Sequence, residues 1–173
     1  MKVNLNDIVC SIKSLEVGQK IFLSGIVYTA RDAAHRRIID LLDCGSKDKI
    51  PFDLNNSAIY YCGPTSTKPG KIIGSCGPTT SSRMDVFTPK LLQEGVKVLI
   101  GKGNRCKDVE NSIKENKAIY FVATGGVAAL ISKCIVKADL IAFDDLGPEA
   151  VYRFEIKDMP VIVAIDSNGN NIF

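Results

Sequence analysis

Six cysteines are present, yet none of them forms a Cys-x-x-Cys pair: they stand singly at positions 10, 44, 62, 76, 106 and 134. That spacing argues against a zinc ribbon or a thioredoxin-type dithiol. Isolated cysteines in a reducing compartment behave as small buried hydrophobes. Histidine occurs once, at position 35, so a Ser-His-Asp triad has one candidate base, and no nucleophile elbow accompanies it. Lysine and arginine never gather in blocks longer than two or three, and the net charge is only +3, which argues against nucleic acid or an acidic membrane surface as partner. The longest apolar runs fall short of the roughly 20 residues that cross a bilayer. The first residues lack the charged, apolar, small-residue order of a signal peptide, so a cytoplasmic location is expected. A Walker loop is missing too, because GKGNR (101–105) has neither the spacing nor the hydroxyl.

What remains is an ordinary globular balance, 46% hydrophobic and 24% charged over 173 residues, enough for one domain with a real core. The first twenty residues read as a strand and turn. KIFLSGIVYTA (20–30) is rich in β-branched and aromatic residues and predicts a strand. RDAAHRRIIDLLD (31–43) repeats apolar residues at helical spacing, with Asp32 at the N-cap and Gly45 beyond the end. AIYYCGP (58–64) and KIIGSCGP (71–78) predict two short strands that each stop at Gly-Pro. A helix is expected just past the second Gly-Pro, running through RMDVFTPKLLQEG and interrupted at Pro89. Strand 96–103, helix 107–117, strand 118–126 and helix 127–134 follow, and segments 138–147 and 151–166 supply the last strands. Strands alternate with helices, which predicts a single α/β domain over 1–173, a central sheet flanked by helices.

Several strands end in glycine-rich loops, at 63–65, 77–80, 101–103 and 124–126. Ligands of α/β folds gather at strand ends, where glycine lets the backbone approach and helix starts attract anions. Two loops share Cys-Gly-Pro-Thr, at 62–65 and at 76–79 inside GSCGPTTSSRMD (74–85). Matching cysteines suggest metal ligands through Cys62 and Cys76, whereas the hydroxyls of Thr79, Thr80, Ser81 and Ser82 beside Arg83 suggest an anion cradle. The plainer alternative is a helix N-cap box with an exposed arginine. Arg31, at a strand–helix junction, is either a second anion clamp or a surface arginine paired with Asp32 or Asp43. Lys102, between glycines, is either an anion partner or a strand-end lysine in water.

Taken in order, YTARDAAHRR, IYYCGPTSTKPGKIIGSCGPTTSSRMD, LIGKG, YFVATGGVAALIS and DDLGPEAVYRFEIKDMPVIVAIDSNGN resemble the C-terminal region of class I iron–sulfur fumarases. That region also exists as the separate β subunit of two-chain fumarases and of L-tartrate dehydratase. The resemblance covers almost the whole chain and implies a swivelling β/β/α fold and a hydro-lyase that adds water reversibly to fumarate, giving L-malate. It also implies a [4Fe-4S] cluster held by three cysteines of a partner α subunit, with no metal ligand in this chain, and an open iron that acts as a Lewis acid. An α2β2 or similar heteromer is the implied assembly. By motif match, Arg31, Arg83 and Lys102 would hold substrate carboxylates. Thr79 would be the catalytic hydroxyl, either as general base or as a positioning group, and Asp32, His35 and Thr80 would support them. The close alternative is L-tartrate dehydration to oxaloacetate; a different class is a stand-alone anion-binding module.

Overall fold

At its start, the segment 20–29 alternates inside and outside, with Ile21 and Leu23 buried and Lys20 and Phe22 exposed, the period of two of a strand with one wet face. The computed structural model describes residues 1–123 and 128–173. In chain order they form β1 (Lys2–Asn4), helical turns that include α1 (Ile8–Ser11), β2 (Lys20–Thr29), α2 (Asp32–Asp43), β3 (Ala58–Tyr60), α3 (Thr88–Gln93) and β4 (Val98–Gly101). The chain continues with α4 (Lys107–Glu115), β5 (Ile119–Val122), α5 (Ala128–Lys133), β6 (Ile135–Ala142) and β7 (Val151–Ile165). The glycine-rich loop expected at 124–126 and the first residue of the helix expected at 127–134 lie outside the described residues.

One seven-stranded sheet has the order β1-β2-β3-β4-β5-β7-β6. Strands β2 to β5 run parallel to one another, and every residue of β3 and β4 is buried, as parallel strands covered on both faces require. The 15-residue β7 is antiparallel to β2, β5 and β6. Because β7 bonds to both β2 and β5, the five strands β2, β3, β4, β5 and β7 close on themselves like a barrel. Pleating sends Tyr60, Ile100 and Phe121 into one core, shared with the N-terminal turns and Ile131 of α5. It sends Ile59, Leu99 and Tyr120 into a second core under Ala34 and Ile38 of α2, Leu91 and Leu92 of α3, and Val109 and Ile113 of α4. The result is a mixed α/β fold, its sheet closed rather than open. Among the described residues no helix is long and apolar enough to cross a membrane.

Several expectations are corrected. Residues 5–14 are helical turns rather than part of a strand and turn. Arg31, not Asp32, is the N-cap of α2, and Asp32 occupies the first helical turn, where its charge suits the helix dipole. Segment 71–78 is not a strand. It folds back on residue 65, with the Thr65 N–H donating to the Ser75 carbonyl at 3.0 Å and the Ser75 N–H to Thr65 Oγ1 at 2.9 Å. Among the described residues one ladder contact survives, Cys62 opposite Pro78. The helix expected across Pro89 is two pieces, a 3₁₀ turn at Ser81–Met84 and then α3, where Pro89 sits in the first turn and starts the helix instead of breaking it. Segment 138–147 is likewise divided: β6 begins earlier, at Ile135, and Phe143 in a left-handed conformation (φ 57°) turns the chain into a helical bend, Asp144–Glu149.

Candidate functional site

The carboxyl ends of β2, β3 and β4 point the same way, so the residues that follow them share one rim. Arg31 follows β2, the Cys62–Thr65 loop follows β3, and Lys102 follows β4. The stretch 79–83 is laid across this rim by backbone bonds. The Thr79 N–H donates to the Tyr61 carbonyl at 2.6 Å, the Ser81 N–H donates to the Lys102 carbonyl at 2.9 Å, and Thr80 bridges Lys102 in parallel register. Thr79, Thr80 and Lys102 are therefore neighbours by construction. Thr80 and Lys102 are exposed and Thr79 half-buried, and the hydroxyl of Thr79 has no hydrogen-bond partner among the described residues.

Ser81 departs from the expected cradle of hydroxyls. It is fully buried, and its Oγ accepts the Lys102 N–H at 3.0 Å and lies 2.8 Å from the Tyr120 hydroxyl. A β-carbon on Gly101 would come within 2.0 Å of Ser81 Oγ, so the glycine before Lys102 is there to admit this serine. Ser81 positions the lysine loop; it offers nothing to a ligand.

The two arginines are held by carboxylates of the chain itself. Arg83 Nε donates to Asp32 Oδ1 at 3.0 Å, and its Nη2 lies at ion-pair distance, 2.9 Å, from Oδ2, which ties the 79–83 loop to the start of α2 by one hydrogen bond and a charge contact. Arg31 Nη2 lies 3.5 Å from Glu149 Oε1, and both side chains are about three-quarters buried, at 24% exposure each. Arg31 thus pairs with Glu149, and neither Asp32 nor Asp43 is its partner; Asp43 pairs with Lys90. Arg31 Nε is buried without a hydrogen-bond partner among the described residues. Asp32 links the two arginines: next to Arg31 in the chain, it binds Arg83 in space.

His35 lies in the core, not on the rim. Its Nδ1–H donates to the Arg31 carbonyl at 2.8 Å, and its ring packs edge-on to Tyr61 and stacks on Phe87. Burial pushes its pKa down to about 4, so the ring is neutral at physiological pH and Nε2 lies buried without a partner among the described residues. Its contribution to the rim is to hold the Arg31 carbonyl.

Sequence reading passed over Arg105. Its guanidinium is almost fully buried behind the rim, donating to Asp85 Oδ1 (2.6 Å), Thr88 Oγ1 (2.6 Å) and the Tyr61 hydroxyl (3.3 Å). It also sits 5.3 Å and 5.0 Å from the ring centres of Tyr61 and Tyr120. No local motif marks it, since GNRC reads as a surface turn and its partners come from three separate segments. Glu149 was missed for the same reason, and its sole signal was a place in a motif whose chemistry sequence spacing does not state.

The cysteines do not make a metal site of the kind an iron–sulfur cluster needs. Cys62 and Cys76 are both buried, and the neighbouring Cys76 thiol together with burial holds the Cys62 thiol well above its ordinary pKa. Cys76 Sγ in turn donates to the Gly74 carbonyl at 3.4 Å. A cluster is held by three or four converging cysteines, and Cys62 and Cys76 are buried as a pair with no third cysteine beside them among the described residues. Among the described residues no three His, Cys, Asp or Glu side chains converge as a ligand set.

The model of the family described as Fumarase C-terminus matches residues 1–173. A Methanocaldococcus jannaschii protein, provisionally named as an L(+)-tartrate dehydratase subunit beta, is 41% identical over 94% of this chain and 85% of its own length. The L(+)-tartrate dehydratase subunit beta of Escherichia coli is 36% identical over 93% of this chain and 80% of its own. The anaerobic class I fumarate hydratase of Escherichia coli is 32% identical over the whole of this chain, which spans 32% of that protein.

Proposed function

The chain belongs to the Fumarase C-terminus family, and from that premise we propose that it is the β subunit of a two-chain hydro-lyase acting on a four-carbon dicarboxylate. Its fold is taken as the swivelling β/β/α type, a single domain over 1–173 that works in the cytoplasm. The observation that carries the reading is the rim itself: Arg31, Arg83 and Lys102 reach it from three separate loops, with the Thr79 hydroxyl on the same backbone stretch as Arg83. A small dianion suits this arrangement. Two guanidiniums, each already oriented by one carboxylate, can take a substrate carboxylate on their remaining N–H groups, and Lys102 adds a point charge where negative charge develops.

Hydration places a hydroxyl on one carbon of fumarate and a proton on its neighbour. The Thr79 hydroxyl is suited to hold or pass that proton, but an ordinary threonine hydroxyl is a weak base. Positioning the reacting carbon is the role the surroundings support, because no basic side chain hydrogen-bonds to the hydroxyl among the described residues. A [4Fe-4S] cluster is assigned to a partner α subunit, where an open iron would serve as Lewis acid; Cys62 and Cys76 are a buried pair with no third cysteine beside them among the described residues. The assembly is taken as α2β2 or similar.

Fumarate hydration is the first reading, following the motifs. Tartrate dehydration is the second, favoured by the subunit-sized tartrate dehydratase relatives, of which this chain spans 80–85%, against about a third of the fumarate hydratase. The test is anaerobic co-expression with a cluster-bearing α chain, followed by assays on both substrates. Turnover that needs both chains is expected. Hydration of fumarate at enzyme-like rates by this chain alone, free of iron, would sink the two-subunit reading.

A further inference from the structure

On the reading that Arg31 grips a substrate carboxylate, we propose that Glu149 is a positioning residue, one carboxylate that both caps helix α2 and aims the Arg31 clamp. Arg31 is the N-cap of α2 but makes no side-chain cap bond of its own. An arginine carries only donors, so it cannot satisfy the free N–H groups of a helix start. Glu149 supplies the acceptor from the far end of the chain: its Oε2 takes the Ala33 N–H at 2.8 Å while its Oε1 faces Arg31 Nη2 at 3.5 Å.

The arginine stem is also confined. A β-carbon on Gly63 would lie 2.9 Å from Arg31 Cδ and 2.7 Å from the Pro148 carbonyl oxygen, so the stem runs through a slot between residue 63 and the backbone next to Glu149. The Asp144–Glu149 bend is fastened to the same helix a second time, where Arg37 Nη1 donates to Asp145 Oδ1 at 2.7 Å and the Arg37 guanidinium lies 5.2 Å from the Phe143 ring centre. The bend is a bracket across the first two turns of α2. With Arg31 Nε unpartnered, Glu149 is the one charged group among the described residues that fixes the direction of this guanidinium.

Glu149→Gln separates the two duties. The amide oxygen still accepts the Ala33 N–H, but a neutral amide no longer holds the guanidinium. In the two-subunit complex the melting temperature should stay within about 2 °C while KM rises at least about fivefold and kcat changes less than about twofold. Adding Glu149→Gln to Arg31→Met should cost nothing further in kcat/KM, since both changes remove the same interaction. Independently of turnover, phenylglyoxal should modify Arg31 of the full chain faster in Glu149→Gln, with Arg83 unaffected, as read by peptide mass spectrometry. An unchanged Arg31 modification rate, or losses that simply add, would overturn the proposal. A wild-type complex inactive on every four-carbon dicarboxylate would instead remove the hydro-lyase reading, and the modification rates would still decide whether Glu149 holds Arg31.

Discussion

At the scale of single residues, burial separates groups that the sequence presents alike. Arg83 and Arg105 are both arginines just past a glycine-rich loop, yet Arg83 is half exposed on the rim while Arg105 is sealed beneath it by Asp85, Thr88 and two tyrosines. Motif spacing singles out the first as a candidate, because the hydroxyl-rich neighbours of Arg83 suggest an anion cradle. The second is invisible, because a buried ion pair depends on which distant side chains meet it. His35 shows the same limit. Its neutral, buried state carries a consequence: the folded pKa of about 4 lies below the unfolded value of 6.5, so the unfolded chain takes up the proton first. Stability is fully present above pH 6.5 and falls as the pH drops toward 4, by up to about 3 kcal/mol from this group. Urea titrations at several pH values should show that slope in the wild type and lose it in His35→Gln; equal slopes would place His35 in water. Gly101→Ala should cost about 1–3 kcal/mol, because the new methyl meets Ser81 Oγ at 2.0 Å and the Tyr61 ring at 2.7 Å. Since Ser81 carries the Lys102 amide, KM should rise too, and a stable variant with normal KM would detach Ser81 from the placement of Lys102.

Elements were legible where their pattern is local. Strands β2, β3, β4, β5 and β7 and helices α2 and α4 all lie where periodicity and composition put them. Segment 71–78 failed because its apolar residues and β-branched pair look like a strand, while Gly74 presses against residue 65: a β-carbon there would meet the Thr65 carbonyl oxygen at 2.0 Å. Close approach of two backbones overrides propensity. The fold-back puts Cys76 beside Cys62, which makes the repeated Cys-Gly-Pro-Thr a matter of packed thiols. Cys76→Ala should therefore lower stability by about 1 kcal/mol and leave the iron content of the complex unchanged. Loss of iron in that variant would restore the cysteine as a ligand.

For the molecule as a whole, an α/β sheet flanked by helices was readable from alternation, but its closure was not. Closure depends on β7 reaching back to β2 from the opposite end of the chain, a pairing that no local pattern encodes. Closure matters for function, since it fixes the ends of β2, β3 and β4 around one rim and leaves their loops facing outward together. On the proposed reading, this rim supplies cations and a hydroxyl to a site that a partner chain completes. The most direct measurement is kcat/KM of Arg83→Met in the complex with the α subunit, with complex formation followed by gel filtration. A loss of about 30- to 1,000-fold is expected, the value of about 2–4 kcal/mol of transition-state binding, with the complex intact. Near-normal kcat/KM would contradict the account, because the rim would then bind no substrate through its half-exposed arginine.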